Sequence, residues 1–184
     1  MSETATDCGD LVAMLEASRQ WDDLEGLSIL EHGLQTAAIL REWRPDDIEL
    51  QVAGLVHDIG WMRRDGERAW SPAPEAAHDR DGAIRVRALL GDRVADLVAG
   101  HVDAKRYLVA TDATYRATLS PRSLETLAFQ GEVMDDAEIT AFERGANMAD
   151  LVTLRRADDA AKVIGLAVDG LDAWRPRIER LSRA

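Results

Sequence analysis

The chain has 184 residues, 46% of them apolar and 30% charged, the proportions of a soluble globular protein long enough to bury an ordinary core. Its net charge of −12 argues against a general binder of nucleic acid or anionic membrane, because phosphate surfaces select basic partners; a local cationic pocket for a small anion is still allowed. The lone Cys8 cannot close an intrachain disulfide, the start Met1-Ser2-Glu3-Thr4 lacks a basic stretch followed by an apolar run, and no segment approaches the roughly 18 apolar residues of a spanning helix, so a cytoplasmic protein is expected.

Apolar residues recur at helical rather than alternating spacing, which predicts an all-α fold, read as a single domain over residues 1–184. A first helix runs from Leu11 to Arg19 behind a cap at Asp7 or Asp10. Ser28-Ile29-Leu30-Glu31 has the capping-box pattern and opens a helix to about Trp43, which Pro45 stops. Asp46 or Asp47 starts the next, whose stripe of Ile48, Val52, Leu55, Val56 and Ile59 carries it through Gly60. Charges, Gly66, Pro72 and Pro74 predict a loop between Met62 and Pro74. Further helices are expected from about Glu75 to Leu90 before Gly91, from a cap at Asp92 through His101 and Val102, after Ser120-Pro121, after Asp135 or Asp136, from Asn147 to Val163, and from Leu171 to Leu181, the last strained by Pro176.

The chain has four histidines, and all fall where metal ligands are expected: His32, His57 beside Asp58, His78 and His101, with a late acidic pair at Asp158 and Asp159. Imidazole with carboxylate suits a first-row transition metal, and this set exceeds what one mononuclear site uses, so two metals in one pocket are predicted. Neighbouring side chains on a helix diverge by about 100°, so His57 and Asp58 can face different ions. Asp58, with two oxygens, is the natural bridge. A single histidine on an apolar face is more often a hydrogen-bonded core residue; four together are a different matter.

The run Leu55-Val56-His57-Asp58-Ile59-Gly60, with His32 before it and His78, His101 and Asp158 after it, resembles the HD-domain superfamily of all-α metal-dependent enzymes, most of which are phosphohydrolases. Leu30-Glu31-His32-Gly33-Leu34-Gln35, Gly100-His101-Val102-Asp103-Ala104-Lys105-Arg106-Tyr107-Leu108-Val109 and Thr126-Leu127-Ala128-Phe129-Gln130-Gly131 resemble a smaller branch. That branch comprises mixed-valent diiron oxygenases that cleave 2-amino-1-hydroxyethylphosphonate or its trimethylated analogue. The similarity covers about residues 15 to 162.

The resemblance implies one iron held by His32, His57 and Asp158 and a second by His78 and His101, with Asp58 bridging an Fe(II)/Fe(III) pair and O₂ as co-substrate. The second iron keeps open positions for substrate, which makes Asp58, His78 and His101 the catalytic set. The implied reaction is oxidation and C–P cleavage of a small hydroxylated organophosphonate. Residues matching Lys105, Ser123 and Arg155 are expected to hold the phosphonate, with Thr126 beside Ser123. Lys105 follows His101 by four residues and Arg155 precedes Asp158 by three, placing both cations on ligand-bearing helix faces. Neither is a ligand, so changing either to alanine should leave iron content nearly unchanged.

The chain departs from that branch in two places. Asp22 stands where a tyrosine coordinates the second iron, although Glu25 is kept three residues later, and Trp61 replaces a histidine after the HD motif. Trp61 through cation–π attraction and Glu25 through charge would favour a cationic, N-methylated amino end on the substrate, and Trp61 as a core-filling tryptophan is the equal alternative. Two alternatives stay open: an HD phosphohydrolase acting on a nucleotide or other phosphomonoester through metal-activated water, and a non-catalytic metal-binding protein.

Overall fold

The computed structural model describes residues 4–22, 25–62 and 77–182. Apart from Met62, the expected loop to Pro74 lies outside the described residues, as does the helix start at Glu75. Among the described residues there are nine α-helices and no strand, so the all-α expectation holds. Asp7 caps α1 (Cys8–Ala17) by accepting from the Asp10 amide. α2 (Ile29–Trp43) has the full capping box: Ser28 Oγ accepts from the Glu31 amide, and the Glu31 carboxylate accepts from the Ser28 amide. Asp47 caps α3 (Ile48–Val56). There follow α4 (His78–Leu90), α5 (Asp92–Thr111), α6 (Pro121–Phe129), α7 (Asp136–Glu143), α8 (Met148–Ala160) and α9 (Arg175–Leu181).

The differences from the sequence reading have local causes. α3 was expected through Gly60 but ends at Val56, and a 3-10 turn over Ile59–Trp61 follows. The chain turns there to meet the start of α4: a Cβ on Gly60 would lie 1.8 Å from the His78 carbonyl oxygen, so only glycine permits the approach. Asp92 is the first residue of α5 rather than its cap. That place belongs to Gly91, whose φ of 87° also ends α4, while the Asp92 carboxylate pairs with Arg87 at 2.6 Å. α8 stops at Ala160 instead of Val163, because Val163 exchanges hydrogen bonds with the Gln35 side chain on α2. Pro176 lies in the first turn of α9, where a missing N–H costs nothing, so the expected strain is absent.

α5 packs against α3, α4 and α8, and α2 lies across α3 and α8. Leu34, Leu50, Val56, Leu97, Val98 and Leu154 belong to the core between them. Among the described residues no helix is long and apolar enough to cross a membrane.

This packing puts a glycine under test. Gly60→Ala should lower stability by at least about 1–3 kcal/mol, the usual cost of overpacking, and should displace His78. Denaturant unfolding of the metal-free protein measures the first; unaltered stability would mean that the 59–61 turn can back away from α4.

Candidate metal centre and anion pocket

Five elements deliver the six predicted ligands to one place. His32 comes from α2, His57 and Asp58 from the end of α3 and the turn after it, His78 from the first turn of α4, His101 from α5 and Asp158 from α8. The four imidazoles and Asp158 are buried, and Asp58 is partly so. Two groups of donor atoms cluster tightly: His32, His57 and Asp158 on one side, and Asp58, His78 and His101 on the other.

Asp58 stands between them. Its Oδ2 lies 3.5 Å from His57 Nε2 and 3.9 Å from His32 Nε2, and its Oδ1 lies 3.5 Å from His78 Nε2 and 3.8 Å from His101 Nε2. Because Asp58 has left the helix (φ −97°, ψ 8°), this two-sided reach comes from the turn and not from the helical 100° step. Asp158 Oδ1 is 3.1 Å from His32 Nε2 and 3.9 Å from His57 Nε2.

Backbone carbonyls set the imidazole tautomers. His32 Nδ1 is 2.9 Å from the Ala161 oxygen, His57 Nδ1 is 2.8 Å from that of Gly54, and His101 Nδ1 is 2.7 Å from that of Val98. A proton on each Nδ1 leaves the Nε2 lone pair aimed at the centre, the arrangement metal-binding histidines need. The buried His57 Nε2 has no hydrogen-bond partner, and the Nε2 atoms of His78 and His101 face each other at 3.1 Å. A cation between such nitrogens satisfies them, so the donor set fits metal ions.

The electrostatics agree. Burial, reinforced by His78 and His57, pushes His101 down to about 3, leaving it neutral and able to ligate. Burial opposes protonation of His32, yet the Asp158 carboxylate beside it raises it to about 9, so a metal must displace that proton. Burial would raise the Asp58 carboxyl, but the surrounding imidazoles hold it below the usual carboxylate range.

A cavity of about 70 Å³ opens onto these groups, and Lys105, Arg155, Ser123, Thr126, Glu25 and Trp61 all line it. Lys105 donates to Thr126 Oγ1 at 3.0 Å and to the Ser123 carbonyl at 3.4 Å. Arg155 donates from one terminal nitrogen to Asp158 Oδ2 at 2.7 Å and from the other to Asp159 and, at 3.4 Å, to Ser123 Oγ. Asp159 therefore pairs with Arg155, and with the Tyr115 hydroxyl, while Asp158 faces the histidines. Asp22 is exposed, bridges backbone to backbone with Ser28, and is not among the pocket-lining residues.

Trp61 and Glu25 are engaged differently from the expectation. The Trp61 indole stacks on His78 at 4.3 Å and 17°, and its N–H donates to Asp58 Oδ1 at 3.2 Å. It braces two of the six ligands, so a ring face that was expected to meet a quaternary ammonium is occupied. Glu25 forms an ion pair with Lys162, a residue the sequence reading passed over. Lys162 follows Asp158 by four residues, the same spacing that singled out Lys105 after His101. Tyr115 was also missed, since it comes from a 3-10 turn whose sequence carries no helical pattern.

The HD domain family model matches residues 29–156. The hydroxymethylphosphonate dioxygenase of Gimesia maris is 38% identical over 84% of this chain and 78% of its own. The [1-hydroxy-2-(trimethylamino)ethyl]phosphonate dioxygenase (glycine-betaine-forming) of Leisingera caerulea is 31% identical over 85% of this chain and 80% of its own. An uncharacterised protein of Acanthamoeba polyphaga mimivirus is 29% identical over 87% of this chain and 74% of its own. With Asp58 of the His57-Asp58 dipeptide between two imidazole pairs and a family match across most of its length, the chain belongs to the HD domain family.

Proposed function

We propose that this protein is a non-haem diiron oxygenase that uses O₂ to oxidise a small hydroxylated organophosphonate and cleave its C–P bond. The observation that carries the reading is Asp58, whose two oxygens each face a pair of buried imidazoles. His32, His57 and Asp158 would hold one iron and His78 and His101 the other, with Asp58 shared. When bound, the metals supply Lewis acidity and the electrons that O₂ needs.

Relatives over most of the chain act on hydroxyphosphonates. Forming glycine betaine from a hydroxyphosphonate requires the carbinol carbon to reach the carboxylate level and part from phosphorus. For hydroxymethylphosphonate the balance is one substrate and one O₂ to one formate, one phosphate and one proton: carbon loses four electrons and O₂ gains them.

The protein's own part is binding and orientation. Lys105 and Arg155 would take the phosphonate oxygens, and charge-assisted hydrogen bonds there hold the carbinol end toward His78 and His101. Ser123 Oγ accepts from Arg155 and, at 3.1 Å, from Lys162, so its hydroxyl proton is available to a bound anion. Trp61 keeps Asp58 and His78 in place.

Lys105 gives this reading a pH signature. Burial, helped by Arg155, lowers it to about 7 in the free protein, and its partners are neutral oxygens. A bound dianion raises it again, so Lys105 takes up a proton as the dianion enters, and wild-type affinity measured against that of Lys105→Met should fall as pH rises from 7 to 9. Calorimetric titration of both proteins with methylphosphonate measures this difference; identical slopes would place Lys105 outside the anion site.

The reading itself is tested by loading the protein with Fe(II) without air and then removing one electron per pair by limited exposure to O₂. Two irons per chain are expected, with a mixed-valent resonance that changes when hydroxymethylphosphonate is added. One iron, or a resonance indifferent to that compound, would defeat it.

A further inference from the structure

The ion pair between Glu25 and Lys162 bears on which hydroxyphosphonate this pocket accepts. Both residues line the cavity, and their side chains are less than one-fifth exposed. Lys162 also donates to Ser123 Oγ at 3.1 Å and Ser120 Oγ at 3.3 Å, joining the segment before α2 to the N-terminal turn of α6.

The backbone on either side of Lys162 is clamped. The Ala161 carbonyl is held by His32 Nδ1, and Val163 bonds the Gln35 amide through its N–H at 3.2 Å and its carbonyl at 2.9 Å. The lysine therefore stands at a fixed point on the pocket wall. Its charge adds to those of Arg155, also on Ser123 Oγ, and Lys105, on the Ser123 carbonyl.

We infer that Lys162, by serving as the counter-ion of Glu25, is a specificity-determining residue that selects hydroxyalkylphosphonates without an ammonium group. This rests on the oxygenase reading above. The carboxylate that would attract an amino end already has a partner, the Trp61 ring that could receive a methylated one lies on His78, and an incoming ammonium would add positive charge to a wall on which four cations, Lys105, Arg122, Arg155 and Lys162, outnumber the three carboxylates Glu25, Asp58 and Asp158. A plain hydroxyalkylphosphonate meets none of these obstacles.

The test compares hydroxymethylphosphonate with 2-amino-1-hydroxyethylphosphonate by kcat/KM, and methylphosphonate with 2-aminoethylphosphonate by calorimetry. It uses iron-loaded wild type, Lys162→Met and Lys162→Arg. The wild type should favour the amine-free member of each pair at least tenfold, Lys162→Met should lose that preference by tenfold or more, and Lys162→Arg should keep it. A wild type indifferent to the amine, or a Lys162→Met protein with unchanged preference, overturns the inference. Amine-sensitive binding with no turnover of either hydroxyphosphonate would instead remove the oxygenase reading and leave the charge selection standing. Binding of neither probe removes both.

Discussion

Replacing Asp58 with alanine should strip the protein of both proposed metals, not one. Each Asp58 oxygen lies within 3.5–3.9 Å of two imidazole nitrogens, on opposite sides of the carboxylate, so one truncation takes an anionic ligand from each group. What remains is His32, His57 and Asp158 on one side and two imidazoles, His78 and His101, on the other. The loss in metal affinity should exceed the roughly 10–100-fold seen when only an outer partner of a ligand is removed, and activity should fall to background. Metal analysis of purified Asp58→Ala protein checks this. One tightly held ion per chain would mean that the two groups bind independently and that Asp58 is no bridge.

Arg155→Ala should also disturb the metal centre. This revises the expectation that a cation which is not a ligand leaves iron content unchanged. Arg155 is buried and donates to Asp158 Oδ2 at 2.7 Å, which turns Oδ1 toward His32 and His57. It also donates hydrogen bonds to Asp159 and, at 2.9 Å, to the Tyr115 hydroxyl oxygen. Burial opposes its charge, but Asp158 and Asp159 outweigh that and hold its proton more firmly than usual.

Removing it leaves two carboxylates without their counter-ion, and breaking a buried pair on one side costs roughly 3–5 kcal/mol. The metal-free variant should therefore unfold at markedly lower denaturant, its iron affinity should drop about 10–100-fold, and phosphonate binding should be lost. Arg155→Lys keeps the charge but not the fork, and should recover stability better than iron affinity. If Arg155→Ala holds iron as the wild type does, Arg155 serves the substrate alone.

The helices were legible because their apolar stripes and caps are local: Ser28 with Glu31, Asp47 and Asp135 each announce a helix start within four residues. Ends were harder to read. α3 stops where Gly60 meets the His78 backbone, and α8 stops where His32 and Gln35 engage the backbone of Ala161 and Val163 just beyond it, contacts that span many residues of sequence. The same divide runs through the site. Four histidines in the whole chain made the candidate ligands easy to single out, and the fold brings their donor atoms together with Asp58 and Asp158.

What each neighbour does was not legible. The partnership of Glu25 with Lys162 crosses 137 positions and that of Arg155 with Tyr115 crosses 40, and neither spacing has a local signature. The residue type leaves Trp61 open to two roles, a surface for a cation or a packing residue. The turn that carries it lays its ring on His78.

The most direct measurement of the central claim is the stoichiometry of a single closed vessel holding iron-loaded protein, hydroxymethylphosphonate and a known amount of O₂. Equal amounts of O₂ consumed, formate formed and phosphate released, with no phosphate when O₂ is withheld, is the predicted result. Phosphate released from a phosphomonoester without O₂, alongside an intact C–P bond in the hydroxyphosphonate, would contradict it and return the chain to the hydrolytic members of its family.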